Sequence, residues 1–171
     1  VEAGICPLVR VPGHDAAPIN RALSNGAMGV IVPLVNTPEQ AAAIARASRF
    51  APIGERSVPG AFPALGYKPR TFDEAAAILN RETLVVVMIE SEIAVANADA
   101  IAAVEGIDCL FVGCSDLTFE LGIPAQYDHP RMLESLEFVA AAARKHGKAA
   151  GFGGVGDDAL ALKYLGLGLN L

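Results

Sequence analysis

The chain has 171 residues, a length that fits one domain with a sizeable buried core. Its net charge is −6, and aromatic residues make up only 6% with no tryptophan, so the composition argues against a nucleic-acid-binding protein. Hydrophobic residues reach 53%, yet no apolar run approaches the ~18 residues that span a bilayer. We therefore expect a single domain over residues 1–171, in a cytoplasmic enzyme with no nucleic-acid or membrane partner.

The cysteines and the two ends of the sequence add two further expectations. Cys6, Cys109 and Cys114 lack the spacing of a metal site, and their odd number argues for reduced thiols in a reducing compartment. Both ends of the sequence fall within apolar, strand-like runs. We therefore expect these residues to be part of a longer chain.

Apolar, β-branched runs alternate with helical patterns from one end of the chain to the other. Strands are predicted over residues 5–11, 27–34, 83–90, 107–113 and 148–153, with a further strand starting at residue 166. Helices are predicted over residues 15–25, 37–50, 71–80, 91–104, 131–146 and 157–165, and a short turn or helix over residues 117–122. Residues 51–70 form a long loop, dense in glycine and proline, of the kind that is often functional.

This order of elements predicts the architecture. It contains no hairpin signal, so we expect a parallel α/β sheet with right-handed crossovers. An open doubly wound sheet and a (β/α)8 TIM barrel both satisfy that order. Units of about 25 residues, with polar groups at several successive strand ends, favour the barrel.

Two of the predicted strands lead into a carboxylate. TLVVVMIE ends on Glu90 and CLFVGCSD ends on Asp116. The carboxyl ends of parallel strands form the active-site edge of α/β folds, so both side chains could converge on one cation. Two oxygen ligands suit Mg²⁺ or Mn²⁺. Alternatively, each acid caps the helix that follows it, although glutamate is a poor residue type for that position.

Arg10 is a third polar group at a strand end. Its guanidinium could hold a carboxylate through two parallel hydrogen bonds, or it could form a structural salt bridge. His14 follows in a turn, where a solvent-exposed histidine is the expected reading. The glycine-rich stretch at residues 151–156 indicates a tight turn that lets a ligand approach the backbone.

Six motifs run in order along the chain: LVRVPG (8–13), GAMGVIVPLVNTPEQA (26–41), PIGERS (52–57), VMIESEIAVANADAIAAVEGID (87–108), FVGCSDLTFELG (111–122) and GKAAGFGG (147–154). Together they resemble the HpcH/HpaI aldolase/citrate lyase family of class II, metal-dependent pyruvate aldolases. The resemblance implies a (β/α)8 TIM barrel from which this chain lacks the first two βα units and the C-terminal helices. It also implies a homo-oligomer, either a trimer or a hexamer.

The same resemblance implies a site and a reaction. A divalent metal, Mg²⁺ or Mn²⁺ with Co²⁺ as an alternative, would be held by Glu90 and Asp116, and Arg10 would be the catalytic, substrate-binding arginine. The backbone amides of Ser115 and Asp116 would receive the carboxylate of pyruvate. The implied enzyme is a carbon–carbon lyase that cleaves a 4-hydroxy-2-oxo acid, of the 2-keto-3-deoxy sugar acid type, to pyruvate and an aldehyde through a metal-stabilised enolate.

The sequence departs from the family pattern at the general base. The family's histidine base lies in a segment that these residues do not include, and its aspartate partner corresponds to Ser24. Met88 stands where a glutamine is often found. Two alternatives therefore stay open: a citramalyl- or malyl-CoA-type lyase, and a non-catalytic relative that binds keto acids.

Overall fold

Five parallel strands form the centre of the fold, in a computed structural model that describes residues 4–171. The strands lie side by side in the order in which they occur along the chain, and each pair of neighbours is parallel. Their bounds are β1 Leu8–Arg10, β2 Gly29–Val32, β3 Leu84–Ile89, β4 Cys109–Gly113 and β5 Ala149–Gly153. The first five predicted strands are therefore present, although each is shorter than its apolar run. The strand predicted to start at residue 166 is wrong, because Gly166 ends the last helix and a turn follows it.

Eight α-helices connect and follow these strands within the described residues. They are α1 Ala16–Ser24, α2 Pro38–Ser48, α3 Phe72–Glu82, α4 Glu92–Ala96, α5 Ala98–Ala102, α6 Cys114–Glu120, α7 Pro130–Lys145 and α8 Asp158–Gly166. Thr37 and Thr71 begin α2 and α3 as predicted, because each accepts a hydrogen bond from the backbone three residues on. No helix in residues 4–171 is both long and apolar enough to cross a membrane.

The main core lies on one face of the sheet only. Successive side chains of a strand point to opposite faces, and Val85, Val87 and Ile89 of β3 join the same buried cluster as the helices. Val86 and Met88, on the other face, are buried but do not belong to that cluster. The helix residues of the cluster include Ile19, Leu23, Ile44, Ile101, Leu136 and Val139.

This one-sided packing decides between the two predicted architectures. A doubly wound sheet reverses its strand order at a switch point and carries helices on both faces. Here the order β1-β2-β3-β4-β5 never reverses, and the helices pack on one face. The prediction of a (β/α)8-type barrel is confirmed, with five successive strands of it described.

An ion pair between the buried Arg49 and the half-buried Asp108 joins the amino ends of β3 and β4, on the edge opposite the predicted site. The Arg49 guanidinium, 4% exposed, donates to the Asp108 carboxylate at 2.6 Å. It also donates to the backbone carbonyls of Asn80, Thr83 and Gly106 at 2.6, 2.7 and 3.0 Å. The same Asp108 oxygen accepts the backbone N–H of Val85 at 2.7 Å. The pair therefore fixes where these two strands begin.

The predicted helix over residues 91–104 is wrong as a single element. It divides at Asn97, whose φ of −93° and ψ of 3° separate α4 from α5. The Asn97 side-chain amide donates to the backbone carbonyl of Asn36 at 2.8 Å. This hydrogen bond to a residue 61 positions away thus favours a break at Asn97 over a continuous helix. The helical periodicity of the sequence does not reveal such a distant contact.

The loop over residues 51–70 is ordered by aromatic packing rather than by regular secondary structure. Phe62 is 9% exposed and meets Phe50 edge to face, with ring centroids 6.4 Å apart. A single 3₁₀ turn, Pro63–Leu65, follows it. The Arg56 guanidinium lies 4.4 Å from the centre of the Phe50 ring, and burial lowers the pKa of Arg56 to about 10.

Candidate active site

Glu90 is the first residue beyond β3 and is almost completely buried, with 2% of its surface exposed. Its Oε2 accepts a hydrogen bond from the backbone N–H of Leu34 at 2.7 Å. Ser91, not Glu90, caps α4, because the Ser91 hydroxyl accepts the N–H of Ala94 at 3.0 Å. The alternative that Glu90 caps the following helix is therefore wrong. Glu90 is instead a buried acid at the carboxyl end of β3.

The peptide unit between Pro33 and Leu34 forms hydrogen bonds with two side chains. Its N–H, from Leu34, donates to Glu90, and its carbonyl, from Pro33, accepts from His14. His14 Nε2 lies 2.7 Å from the Pro33 carbonyl oxygen, which can only accept, so that nitrogen carries the proton. Leu34 adopts a left-handed φ of 56°, a conformation that is unfavourable for a side chain of its size. His14 is half-buried rather than free in solvent, contrary to the expectation for a turn histidine.

Asp116 reaches the same place from β4. The helix α6 starts directly at Cys114, with Gly113 before its first residue, so Asp116 lies in the first helical turn and is exposed. Burial is the main cause that raises the pKa of Glu90, and the nearby Asp116 carboxylate raises it further. The Leu34 N–H and the positive charge of Arg10 oppose that rise in pKa. Two adjacent carboxylates, one of them buried, are stabilised as anions by a cation.

The donor set fits a hard divalent cation. Glu90 and Asp116 offer carboxylate oxygens only, and Mg²⁺ is commonly held by one or two carboxylates together with water and substrate oxygens. Within residues 4–171 no group of three or more histidine, cysteine or acidic side chains could hold a metal, so the site offers this pair and open positions. Open positions are what a catalytic metal needs for its substrate.

Two cavities meet at the carboxylate pair. The inner cavity has a volume of about 260 Å³, and Arg10, Glu90 and Asp116 all line it. The rest of its wall comes from Met88, Phe111, Gly113, Cys114, Ser115, Gly153 and Gly154. The outer cavity, of about 490 Å³, shares Glu90 and Asp116 and lies beyond them. The structure thus brings Arg10, Glu90, Ser115 and Asp116, all predicted from the sequence, to the wall of one cavity.

Two other predicted residues have different surroundings. Ser24 is the last residue of α1 and, among the described contacts, lines neither cavity. Cys114 lines the inner cavity, but burial raises the pKa of its thiol to about 12. A thiol with that pKa is protonated at neutral pH and is a poor nucleophile. Cys114 therefore serves as an apolar wall of the inner cavity.

Gly113 leaves the space that Glu90 occupies. A Cβ at this position would lie 2.6 Å from Glu90 Cγ and from Oε1. Gly113→Ala is therefore expected to displace the carboxylate and to weaken Mn²⁺ binding by about tenfold, as measured by titration calorimetry. Gly156→Ala, where an added Cβ has open space, is the matched control. Unchanged Mn²⁺ affinity in a folded Gly113→Ala protein would contradict this role.

Comparisons with known proteins identify relatives over nearly the whole chain. A 4-hydroxy-4-methyl-2-oxoglutarate aldolase of Chaetomium globosum is 39% identical over 155 residues, 90% of this chain and 58% of its own length. A 2-keto-3-deoxy-L-rhamnonate aldolase of Salmonella gallinarum is 38% identical over 164 residues, 96% of this chain and 61% of its own. The chain thus spans about 60% of the length of these curated relatives.

Structural and family comparisons agree with these relatives. The crystal structure of an HpcH/HpaI aldolase from Desulfitobacterium hafniense DCB-2 superposes with a TM-score of 0.92 at 34% identity, covering 99% of this chain and 65% of that one. The HpcH/HpaI aldolase/citrate lyase family model matches residues 2–159. On this evidence the chain belongs to the HpcH/HpaI aldolase/citrate lyase family.

Proposed function

We propose that this protein is a divalent-metal-dependent aldolase that cleaves a 4-hydroxy-2-oxo acid to pyruvate and an aldehyde. The observation that carries the proposal is the inner cavity, where one guanidinium and two carboxylates line the same wall. Arg10 provides a fork of donors for a substrate carboxylate, and Glu90 with Asp116 provides the oxygens for Mg²⁺ or Mn²⁺. The predicted cytoplasmic location and homo-oligomeric state are part of the same proposal.

The named relatives support this class of substrate. One acts, by its name, on 4-hydroxy-4-methyl-2-oxoglutarate and the other on 2-keto-3-deoxy-L-rhamnonate. Both compounds are 2-oxo acids with a hydroxyl group at C4. They differ in the fragment beyond C3, which carries a second carboxylate in the first compound and none in the second. The shared part is the part that the inner cavity would bind.

The reaction breaks the bond between C3 and C4. The C4 hydroxyl loses its proton and becomes the carbonyl of the aldehyde, while the bonding pair passes to C3 and delocalises onto the C2 oxygen. A proton then returns to C3 and gives pyruvate. Arg10 orients the substrate through its carboxylate and places positive charge beside the developing enolate oxygen. A divalent cation held by Glu90 and Asp116 would, when bound, supply Lewis acidity for the developing enolate.

The backbone and the cavity wall contribute as well. Ser115 and Asp116 lie in the first turn of α6, where backbone N–H groups have no acceptor within the helix. We assign these amides to the substrate carboxylate, together with Arg10. Gly154 allows the backbone after β5 to come close, because a Cβ there would lie 2.8 Å from Ser115 Oγ. That side of the cavity thus accommodates a planar oxo acid.

Exchange of the C3 protons of pyruvate in D₂O tests the proposal without an aldehyde. We expect Mg²⁺-dependent exchange by ¹H NMR, and a rate about tenfold lower for Arg10→Lys, which keeps the charge but loses the fork. Arg21→Lys, an arginine of α1, is the matched control and should retain the wild-type rate. Pyruvate binding without exchange would contradict the aldolase and favour a non-catalytic keto-acid binder. Wild-type exchange by Arg10→Lys would leave Arg10 without the proposed role.

A further inference from the structure

The outer cavity has a wall that the enolate chemistry does not require. It lies between the loop that follows β2, the start of α4 after β3, and α6 after β4, and Glu90 and Asp116 line both it and the inner cavity. Its volume of about 490 Å³ falls in the range of sites for small molecules. Both cavities share the carboxylate pair, so each of them adjoins the position proposed for the metal.

Apolar side chains dominate the mouth of the outer cavity. Leu34, Ile93 and Phe119 are 55%, 62% and 74% exposed, and they come from the loop after β2, from α4 and from α6. Exposed large hydrophobic residues scattered singly need no explanation, but three around one opening form an apolar patch. The left-handed backbone of Leu34 is part of this arrangement, because the residue that donates to Glu90 also presents its side chain to solvent.

The polar residues of the wall are engaged or acidic. Ser91 Oγ donates to Asn36 Oδ1 at 2.6 Å, which ties the two loops together behind the opening. Glu120 is exposed and adds a negative charge besides the carboxylate pair. Among the described residues that line the outer cavity, none is a lysine, an arginine or a histidine. Apart from the pair that would hold the metal, the wall therefore offers apolar contact and the negative charge of Glu120, and none of its described side chains is a cationic partner for an anion.

We infer that the outer cavity is the subsite for the fragment beyond C3 and that it selects uncharged, apolar aldehydes over carboxylated ones. This inference rests on the proposed function, since Arg10 places the carboxylate of the oxo acid in the inner cavity. The remaining fragment then extends past the carboxylate pair to Leu34, Ile93 and Phe119. Beyond the metal-holding pair, a carboxylate on that fragment would approach Glu120, and no cationic side chain lines this cavity among the described residues, whereas an alkyl chain would lose water from its surface.

A matched pair of four-carbon aldehydes tests the selection. Butanal and succinic semialdehyde differ by a terminal carboxylate, and each would condense with pyruvate by forming a bond from pyruvate C3 to the aldehyde carbon. The proton lost from C3 is balanced by the proton gained on the new hydroxyl. We expect kcat/KM for butanal to exceed that for succinic semialdehyde by about tenfold. Equal values, or a preference for succinic semialdehyde, would overturn the inference.

Two variants connect the selection to this wall. Phe119→Ala is expected to lower kcat/KM for butanal by about tenfold, mainly through KM, because apolar contact is lost. Glu120→Lys is expected to shift the ratio of the two kcat/KM values toward succinic semialdehyde. Phe138→Ala removes an exposed phenylalanine of α7 that lines neither of the two cavities, and it should change neither value. No effect of Phe119→Ala would overturn the assignment of the subsite.

The two proposals fail in distinguishable ways. Pyruvate C3 exchange without any aldehyde selectivity contradicts the subsite and leaves the aldolase intact. Absence of exchange contradicts the aldolase, and the subsite is then decided by binding alone. Saturation-transfer NMR with butyramide and succinamate, which do not react, should show stronger transfer to butyramide that is lost in Phe119→Ala. Equal transfer to both compounds would overturn the subsite whatever the catalytic result.

Discussion

Glu90→Gln is expected to weaken Mn²⁺ binding by more than about 100-fold, because loss of an outer-shell partner alone costs about 10–100-fold in metal affinity. Glutamine keeps the volume of the side chain, and its amide oxygen can still accept the Leu34 N–H that Glu90 accepts at 2.7 Å. What it loses is the negative charge that a hard cation requires. Titration calorimetry with Mn²⁺ measures the difference, and pyruvate C3 exchange should fall with it.

A glutamate two residues along the chain provides the control for this experiment. Glu92 is exposed in α4 and forms an ion pair with Arg131 at 2.6 Å. Glu92→Gln should therefore leave Mn²⁺ affinity unchanged. The melting temperature of Glu90→Gln should not fall, since burial raises the pKa of Glu90 and a neutral amide avoids burying a charge. Wild-type Mn²⁺ affinity in folded Glu90→Gln would contradict the proposed metal site.

Arg49→Met is expected to cause the largest loss of stability, about 3–5 kcal/mol in the free energy of unfolding. The substitution leaves the Asp108 carboxylate without its guanidinium at 2.6 Å. It also leaves the carbonyls of Asn80, Thr83 and Gly106 without their donor. Urea unfolding followed by circular dichroism measures the change.

An exposed ion pair three residues earlier provides the comparison. Arg46 and Glu55 lie 3.6 Å apart, with 53% and 77% of their side chains exposed. Arg46→Met should therefore change the free energy of unfolding by less than about 1 kcal/mol. If Arg49→Met is no more destabilising than Arg46→Met, the buried pair does not hold the amino ends of β3 and β4 together.

Local sequence was sufficient for five of the six predicted strands, most helices and the position of the acids. β3 is buried on both faces, so it reads as a continuous apolar run, and the first polar residue after it, Glu90, marks the end of the strand. The caps Thr37 and Thr71 were equally readable, because a capping box spans only four residues. These features depend on neighbours in the chain.

Features that depend on distant partners were not readable in the same way. The break at Asn97 results from its hydrogen bond to Asn36, and the half-buried position of His14 results from its contact with Pro33, 19 residues away. Each of these polar side chains could equally have faced water. Only the packing of the loops decides which of them is buried and bonded.

The sequence by itself determined the order of the βα units, the apolar runs that become strands, and the acids and the arginine that follow them. The resemblance of its motifs to the family added the identity of the site. The tertiary structure alone decided that the helices cover one face, that the Leu34 N–H binds Glu90 while His14 contacts the neighbouring Pro33 carbonyl, and that a cavity with three apolar residues in its wall adjoins the carboxylate pair. The physical reason is the separation along the sequence between the residues that interact. Strand and helix patterns are set by burial and hydrogen bonds among near neighbours, whereas a cavity is formed by loops far apart in sequence that meet only after the sheet has formed.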